Sequence, residues 1–158
     1  DKNNLLSESI DLSQKPRGGF ANHINFNKIE FESMPLKFGQ RLKIVLQLKS
    51  NVAKEFKDVD LGINIVDSKQ TTVIHCSNRF VDANFTHTDD NARYVFEIDN
   101  ILKPGIYTLV LFLRTEDVIQ DVLNNEVSFE ISDGNPYGFN DSKQFQGSIL
   151  PQFSVYKK

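Results

Sequence analysis

The groups able to do chemistry in this chain are scattered, and their types favour holding a ligand over transforming one. There is no G-x-x-x-x-G-K-[ST] run to cradle a phosphate, no G-x-S-x-G turn to expose a nucleophilic serine, and no H-E-x-x-H pair to grip zinc. His23, His75 and His87 lie far apart, and only His87-Thr88-Asp89-Asp90 gathers several potential ligands in one stretch. It reads as a solvated acidic loop, with calcium as the cation it would take if it took any. No metal and no cofactor are expected. Glycoside hydrolysis needs two carboxylates set across a cleft, and Glu97, Asp99, Asp117, Asp121 and Glu130 qualify by residue type alone. Each is more simply the outward, solvated member of a strand or turn.

Planar donors are grouped better. His75, Ser77, Asn78 and Arg79 follow one another closely, and Arg114 ends an apolar run. Imidazole, amide and guanidinium groups of this kind bind hydroxyls and carboxylates. In that run Val110 and Phe112 interleave with Tyr107, Leu109, Leu111 and Leu113, so the strand is apolar on both sides and belongs in the middle of a sheet.

The elements that must position these groups are strands. Thirteen Phe, 4 Tyr and many Val and Ile tilt a globular composition toward β structure, and 158 residues suit one domain with a core of its own. A net charge of −3 without a dense basic block argues against nucleic acid. The longest apolar stretch, Tyr107 to Leu113, is far short of a membrane span. Cys76 stands alone, so no intrachain disulfide can form; it reads as a small buried hydrophobe.

Residues 1–20 are polar and end in Lys15-Pro16-Arg17-Gly18-Gly19, the chemistry of a linker entering a folded unit over 21–158. Beyond it the apolar period is two. Strands are expected at 40–50, 59–66 and 71–77, then at 93–99, 106–114, 126–132 and 148–156. In the first strand Ile24, Phe26, Ile29 and Phe31 change register between Phe26 and Ile29, which fits a bulge. Lys103-Pro104-Gly105 suits a type II turn. Only 116–125 could hold a brief helix, and 133–147 reads as a polar, Gly-rich loop. Short strands punctuated by turns indicate an all-β fold, an immunoglobulin-like or jelly-roll β-sandwich.

Four stretches carry a resemblance. They are Arg17-Gly18-Gly19 leading to Ile24 and Ile29; Leu61-Gly62-Ile63-Asn64-Ile65-Val66-Asp67; Phe96-Glu97-Ile98 through Leu102-Lys103-Pro104-Gly105-Ile106-Tyr107; and Val127-Ser128-Phe129-Glu130-Ile131 followed by Tyr137-Gly138, Gly147 and Leu150-Pro151. In this order and spacing the chain resembles the C-terminal carbohydrate-binding domain of the ATP-binding subunit in ABC transporters that export O-antigen polysaccharide. The resemblance implies a homodimer with its C-terminal strand exchanged, an ATPase domain before residue 1, a membrane subunit as partner, and a cytoplasmic place at the inner face of the bacterial inner membrane. It also implies recognition of the non-reducing end of a lipid-linked glycan, without catalysis.

With no Trp in the chain, stacking on a sugar falls to Tyr or Phe. The candidate site is therefore Phe112 as an apolar floor, with Asn64, His75, Arg79 and Arg114 as planar donors. A charged terminal group would suit the arginines, and replacing both with Ala is expected to abolish retention at nearly unchanged thermal stability. Two other functions compete: a structural module that only dimerises through exposed strand edges, and, ranked below it, a glycan-cleaving enzyme.

Overall fold

Alternation of apolar and polar residues puts one face of a strand in a core and the other toward solvent, and two such sheets can close on each other. The computed structural model describes residues 6–34, 36–132, 134–138 and 142–158. Its strands are β1 (Leu6–Asp11), β2 (Ile24–Met34), β3 (Leu42–Ser50), β4 (Phe56–Val66), β5 (Thr72–Ser77), β6 (Phe85–His87), β7 (Tyr94–Ile98), β8 (Gly105–Thr115) and β9 (Val118–Ile131). One sheet has the order β1-β2-β3-β7, the other β5-β4-β8-β9 with β6 also paired to β4. All these pairings are antiparallel. The fold is the expected β-sandwich.

The core lies between the sheets. Phe26, Ile29 and Phe31 of β2 and Ile44 and Leu46 of β3 share one buried cluster with Leu61 and Ile63 of β4 and Leu109, Leu111 and Leu113 of β8. Phe31 and Phe129 meet from opposite sheets with ring centroids 5.4 Å apart. Burying each such side chain is worth roughly 1.5–3 kcal/mol. The register change in β2 is a bulge: Phe26 pairs with Leu48 and Lys28 with Gln47, which leaves Asn27 over and lets both Phe26 and Ile29 face inward.

Five expectations need correction. The linker expected over 1–20 is part of the sandwich from residue 6 onward: β1 pairs with β2, Leu12 is fully buried, and Arg17 is bound to Asp121. An edge strand needs backbone partners more than an apolar face, and the exposed Glu8 and Ser9 hide it from a periodicity search. Residues 1–5 lie outside the described residues.

The helix expected over 116–125 is instead the β8–β9 hairpin. Glu116 and Asp117 hold φ of 48° and 63°, the two left-handed positions of a type I′ turn, whose twist matches that of the flanking strands. Gly105 opens β8 at φ 155°, where a type II turn would place about +80° at its third position. The strand expected over 148–156 shrinks to a bridge between Leu102 and Ile149, flanked by bonds from the Lys103 amide to Ser148 and from the Leu150 amide to Ile101. Residues 151–158 are exposed and belong to no strand. Cys76 is half-buried on β5, and that burial raises its thiol pKa. In the loop expected over 133–147 the described part carries a single 3-10 turn at Ser142–Gln144; residues 133 and 139–141 lie outside the described ones.

Candidate functional site

Because Val59, Leu61, Ile63 and Ile65 of β4 point into the core, Asp60, Gly62 and Asn64 take the opposite face of their sheet. Asp60 lies across from Arg114, Gly62 from Phe112, and Asn64 from Val110 on β8. On the other side Gly62 faces Ser77, and Asn64 faces His75, on β5. Residues directly opposite each other share a face and interact, so these side chains form one patch. Together with Arg79 and Phe80 they line a hollow of about 380 Å³.

All five residues singled out from sequence, Asn64, His75, Arg79, Phe112 and Arg114, line this hollow. Its depth comes from Gly62, where a Cβ would meet the Phe112 Cβ at 3.5 Å, an ordinary contact. A larger residue there would fill the hollow without a clash from its first carbon. The Arg114 guanidinium sits 6.0 Å from the centroid of the Phe112 ring, at the outer limit of a cation–π contact. The opposite wall is Phe80, 65% exposed and edge-on to His75 at 5.1 Å.

Arg79 and Phe80 ride on a single 3-10 turn, Asn78–Val81, and Asn78 nails that turn to β4. The Asn78 Oδ1 accepts the Leu61 amide, while its Nδ2 donates to the carbonyls of Val59 and Ala83, all at 2.8 Å. Ser77 caps the turn by accepting the Arg79 amide at 3.2 Å. Below the arginines lies Asp60, 8% exposed. It accepts Ser77 Oγ at 2.9 Å, Arg79 Nη1 at 3.3 Å and Arg114 Nη2 at 3.0 Å. The polar groups in this arrangement can hold hydroxyls, and its own hydroxyl, Ser77 Oγ, is given to Asp60.

Sequence reasoning missed Asp60, Gly62 and Phe80, and it noted Ser77 and Val110 without placing them in the site. A usable signal existed on β4, whose outward positions carry Asp, Gly and Asn where a solvated face usually carries long charged side chains. Phe80 stands in a polar turn where periodicity is silent.

The remaining candidates are placed elsewhere. The loop expected to be solvated around His87 is corrected in part. His87 is 1% exposed, its Nδ1 2.7 Å from the Tyr94 hydroxyl and its Nε2 2.9 Å from Asp90. A carboxylate only accepts, so Nε2 donates to Asp90, and in the neutral imidazole Nδ1 accepts from Tyr94. Among the described residues no group of three or more His, Cys, Asp and Glu could hold a metal ion. Asp121 is buried and held by the Arg17 Nε at 3.0 and 3.2 Å, which corrects its assignment as a solvated residue. Glu97 on β7 and Asp99 just past it border Arg41 at 3.7 and 2.9 Å, whereas Asp121 and Glu130 belong to β9 of the opposite sheet and Asp117 to the turn before it. The outer face of the β1-β2-β3-β7 sheet is crossed by the pairs Lys28–Glu30, Arg93–Glu30 and Lys43–Glu32. Such exposed pairs contribute little stability, and they cover that face with solvated charge where the β5-β4-β8-β9 sheet offers aromatic rings.

No described helix is long and apolar enough to cross a membrane. No curated protein matches the chain significantly. Among solved structures, one described as the crystal structure of the C-terminal domain of Wzt superposes with a TM-score of 0.71, covering 91% of this chain and 90% of that one at 13% identity. Identity that low establishes a common fold. The family model described as the Wzt C-terminal domain matches residues 28–149, nearly all of the sandwich, and the chain therefore belongs to the Wzt C-terminal domain family.

Proposed function

We propose that this chain is a non-catalytic carbohydrate-binding module that recognises the non-reducing terminus of a lipid-linked O-antigen polysaccharide for export by an ABC transporter. The observation that carries it is the hollow on the β5-β4-β8-β9 sheet, where an apolar floor and aromatic wall meet planar donors. Sugar rings present just that combination of apolar C–H faces and hydroxyl rims. Membership of the family supports the transporter setting. In that setting the partners are an ATPase domain preceding residue 1, a membrane subunit, and a second copy of the chain, at the cytoplasmic face of the inner membrane.

The test is retention of the purified chain on a panel of O-polysaccharides with and without their terminal modification. Retention of one terminally modified polymer, and not of its unmodified form, is the expected result. Replacing Phe80 with Ala should weaken that retention about tenfold, the scale of one aromatic contact, at little cost in stability because the ring is 65% exposed. Arg79→Ala serves equally, since Arg114 still faces Asp60. The double alanine variant at Arg79 and Arg114 is not neutral for stability, because it strands the buried Asp60 carboxylate on Ser77 alone at a cost of about 2–4 kcal/mol. A chain that dimerises but retains no polymer would instead be a structural module, and new reducing ends after long incubation would mark an enzyme.

A further inference from the structure

We propose that Asp60 sets what the hollow accepts: its carboxylate holds both guanidiniums in place and cancels one of their two charges, which suits the site to uncharged sugar hydroxyls and turns polyanions away. On the carbohydrate reading above, Asp60 is a positioning residue. It is 8% exposed, and both its oxygens are engaged by Ser77, Arg79 and Arg114, so it has little left to offer a ligand directly.

Its effect on the arginines is twofold. A guanidinium carries five N–H donors in a rigid fork, so the donor given to Asp60 fixes the plane in which the others face hydroxyls. Ordering two long side chains before the ligand arrives lowers the entropy lost on binding. The second effect is charge. Two arginines alone would attract an anionic terminal group, but Asp60 lies within 3.3 Å of both. Asp58, Asp82, Glu116 and Asp117 line an adjoining hollow of about 400 Å³ that shares Asp60, Arg79 and Arg114 with the first. Carboxylates thus outnumber guanidiniums along the two hollows, and the field there opposes a further anion. The charged terminal group suggested by the arginines alone gives way to a neutral one.

The experiment compares retention of the purified chain on immobilised dextran sulfate and on dextran. The wild-type chain should be held no better by dextran sulfate than by dextran. Asp60→Asn removes the one carboxylate in contact with both guanidiniums while the four of the adjoining hollow remain, and its retention on dextran sulfate should rise about tenfold at low salt and vanish as salt screens the charge. Adding Arg79→Gln to Asp60→Asn restores the charge balance and should return retention to the wild-type level, an effect that general loosening of the fold would not produce. Folding of each variant is checked by thermal unfolding. A folded Asp60→Asn chain with unchanged dextran sulfate retention overturns the proposal, as does a double variant that keeps the gain.

Asp60→Glu keeps the charge but moves the carboxylate by one methylene, and it stands in if Asp60→Asn does not fold. It should show no gain on dextran sulfate and weaker retention of the polysaccharide selected by the panel; wild-type retention of that polymer would overturn the positioning role. Failure of the carbohydrate reading shows itself separately, as a wild-type chain retained by no polymer of the panel, while the dextran sulfate arm still decides the charge role of Asp60.

Discussion

Buried His87 and Tyr94 are hydrogen-bonded in a chain that ends on the exposed Asp90, and the Tyr94 and Asp90 ends tie stability to pH. Tyr94 belongs to β7 and His87 to β6, so their 2.7 Å bond joins the two sheets. Asp90 reaches further, accepting the Ser50 amide at 3.1 Å. Burial works against the Asp90 carboxylate, but hydrogen bonds from His87 and Ser50 together hold it below its ordinary 3.8. A carboxyl whose folded pKa is depressed stabilises the fold fully above its unfolded value and stops doing so as pH falls through the folded one. Tyr94 runs the other way. Burial, with Asp90's charge, pushes its pKa from 10 up to about 12, and burial with Asp67's charge does the same for Tyr107. Those phenols stabilise the fold fully below pH 10, and that contribution is lost as pH rises toward about 12. Thermal stability should therefore fall below about pH 4 and fall again above about pH 10. In Tyr94→Phe the alkaline decline should shrink, and the neutral-pH stability should drop by about 1 kcal/mol because His87 Nδ1 loses its donor. An alkaline limb identical in the two proteins would contradict this.

At the scale of elements, β3 and β4 are legible because their alternate residues, 42–48 and 59–65, divide cleanly between the core and the other face. The same parity made the site legible in part: Asn64 and Phe112 had to share a face once β4 and β8 were neighbours, and His75 followed from the hairpin. The hairpin at Glu116-Asp117 was not legible, since neither residue is the Asn or Gly that a type I′ turn prefers, and Asp121 interrupts the apolar pattern of β9 for a buried bond to Arg17. That mismatch is also a place to gain stability. Both turn residues sit in the left-handed region, which costs an ordinary side chain free energy that Asn and Gly avoid. Glu116→Asn with Asp117→Gly should stabilise the chain by about 1 kcal/mol, raising Tm by roughly 2–4 °C. Both residues line the adjoining hollow that shares Arg79 and Arg114 with the candidate site, so the gain is read from Tm and not from retention. A fall in Tm would mean that the turn is held in its conformation by contacts of the original side chains.

For the whole molecule, the open question of assembly centres on residues 151–158. Phe153, Val155 and Tyr156 are 71%, 86% and 79% exposed. Single exposed apolar side chains are ordinary, but three within four residues on a segment outside any strand form a template for pairing with a sheet edge. The segment is lightly held in its own chain, by the Tyr137 hydroxyl on the Pro151 carbonyl at 2.6 Å and an edge-on contact of Tyr137 with Phe153. Exchange with a second copy would cover these side chains and leave the sandwich unchanged, because the buried core cluster ends at Ile131 and, among the described residues, the C-terminal segment adds Ile149 and Leu150, both ahead of residue 151. Truncation after Leu150 should thus separate assembly from folding. The full chain is expected to sediment as a dimer, with a Tm that rises with concentration as mass action requires. The truncated chain should sediment as a monomer with the same strand content and a Tm independent of concentration. If both sediment as dimers, the dimer is made elsewhere on the sandwich and the exchanged strand is discarded; if both are monomers, the dimer itself is discarded; if truncation unfolds the domain, the segment belongs to its own core.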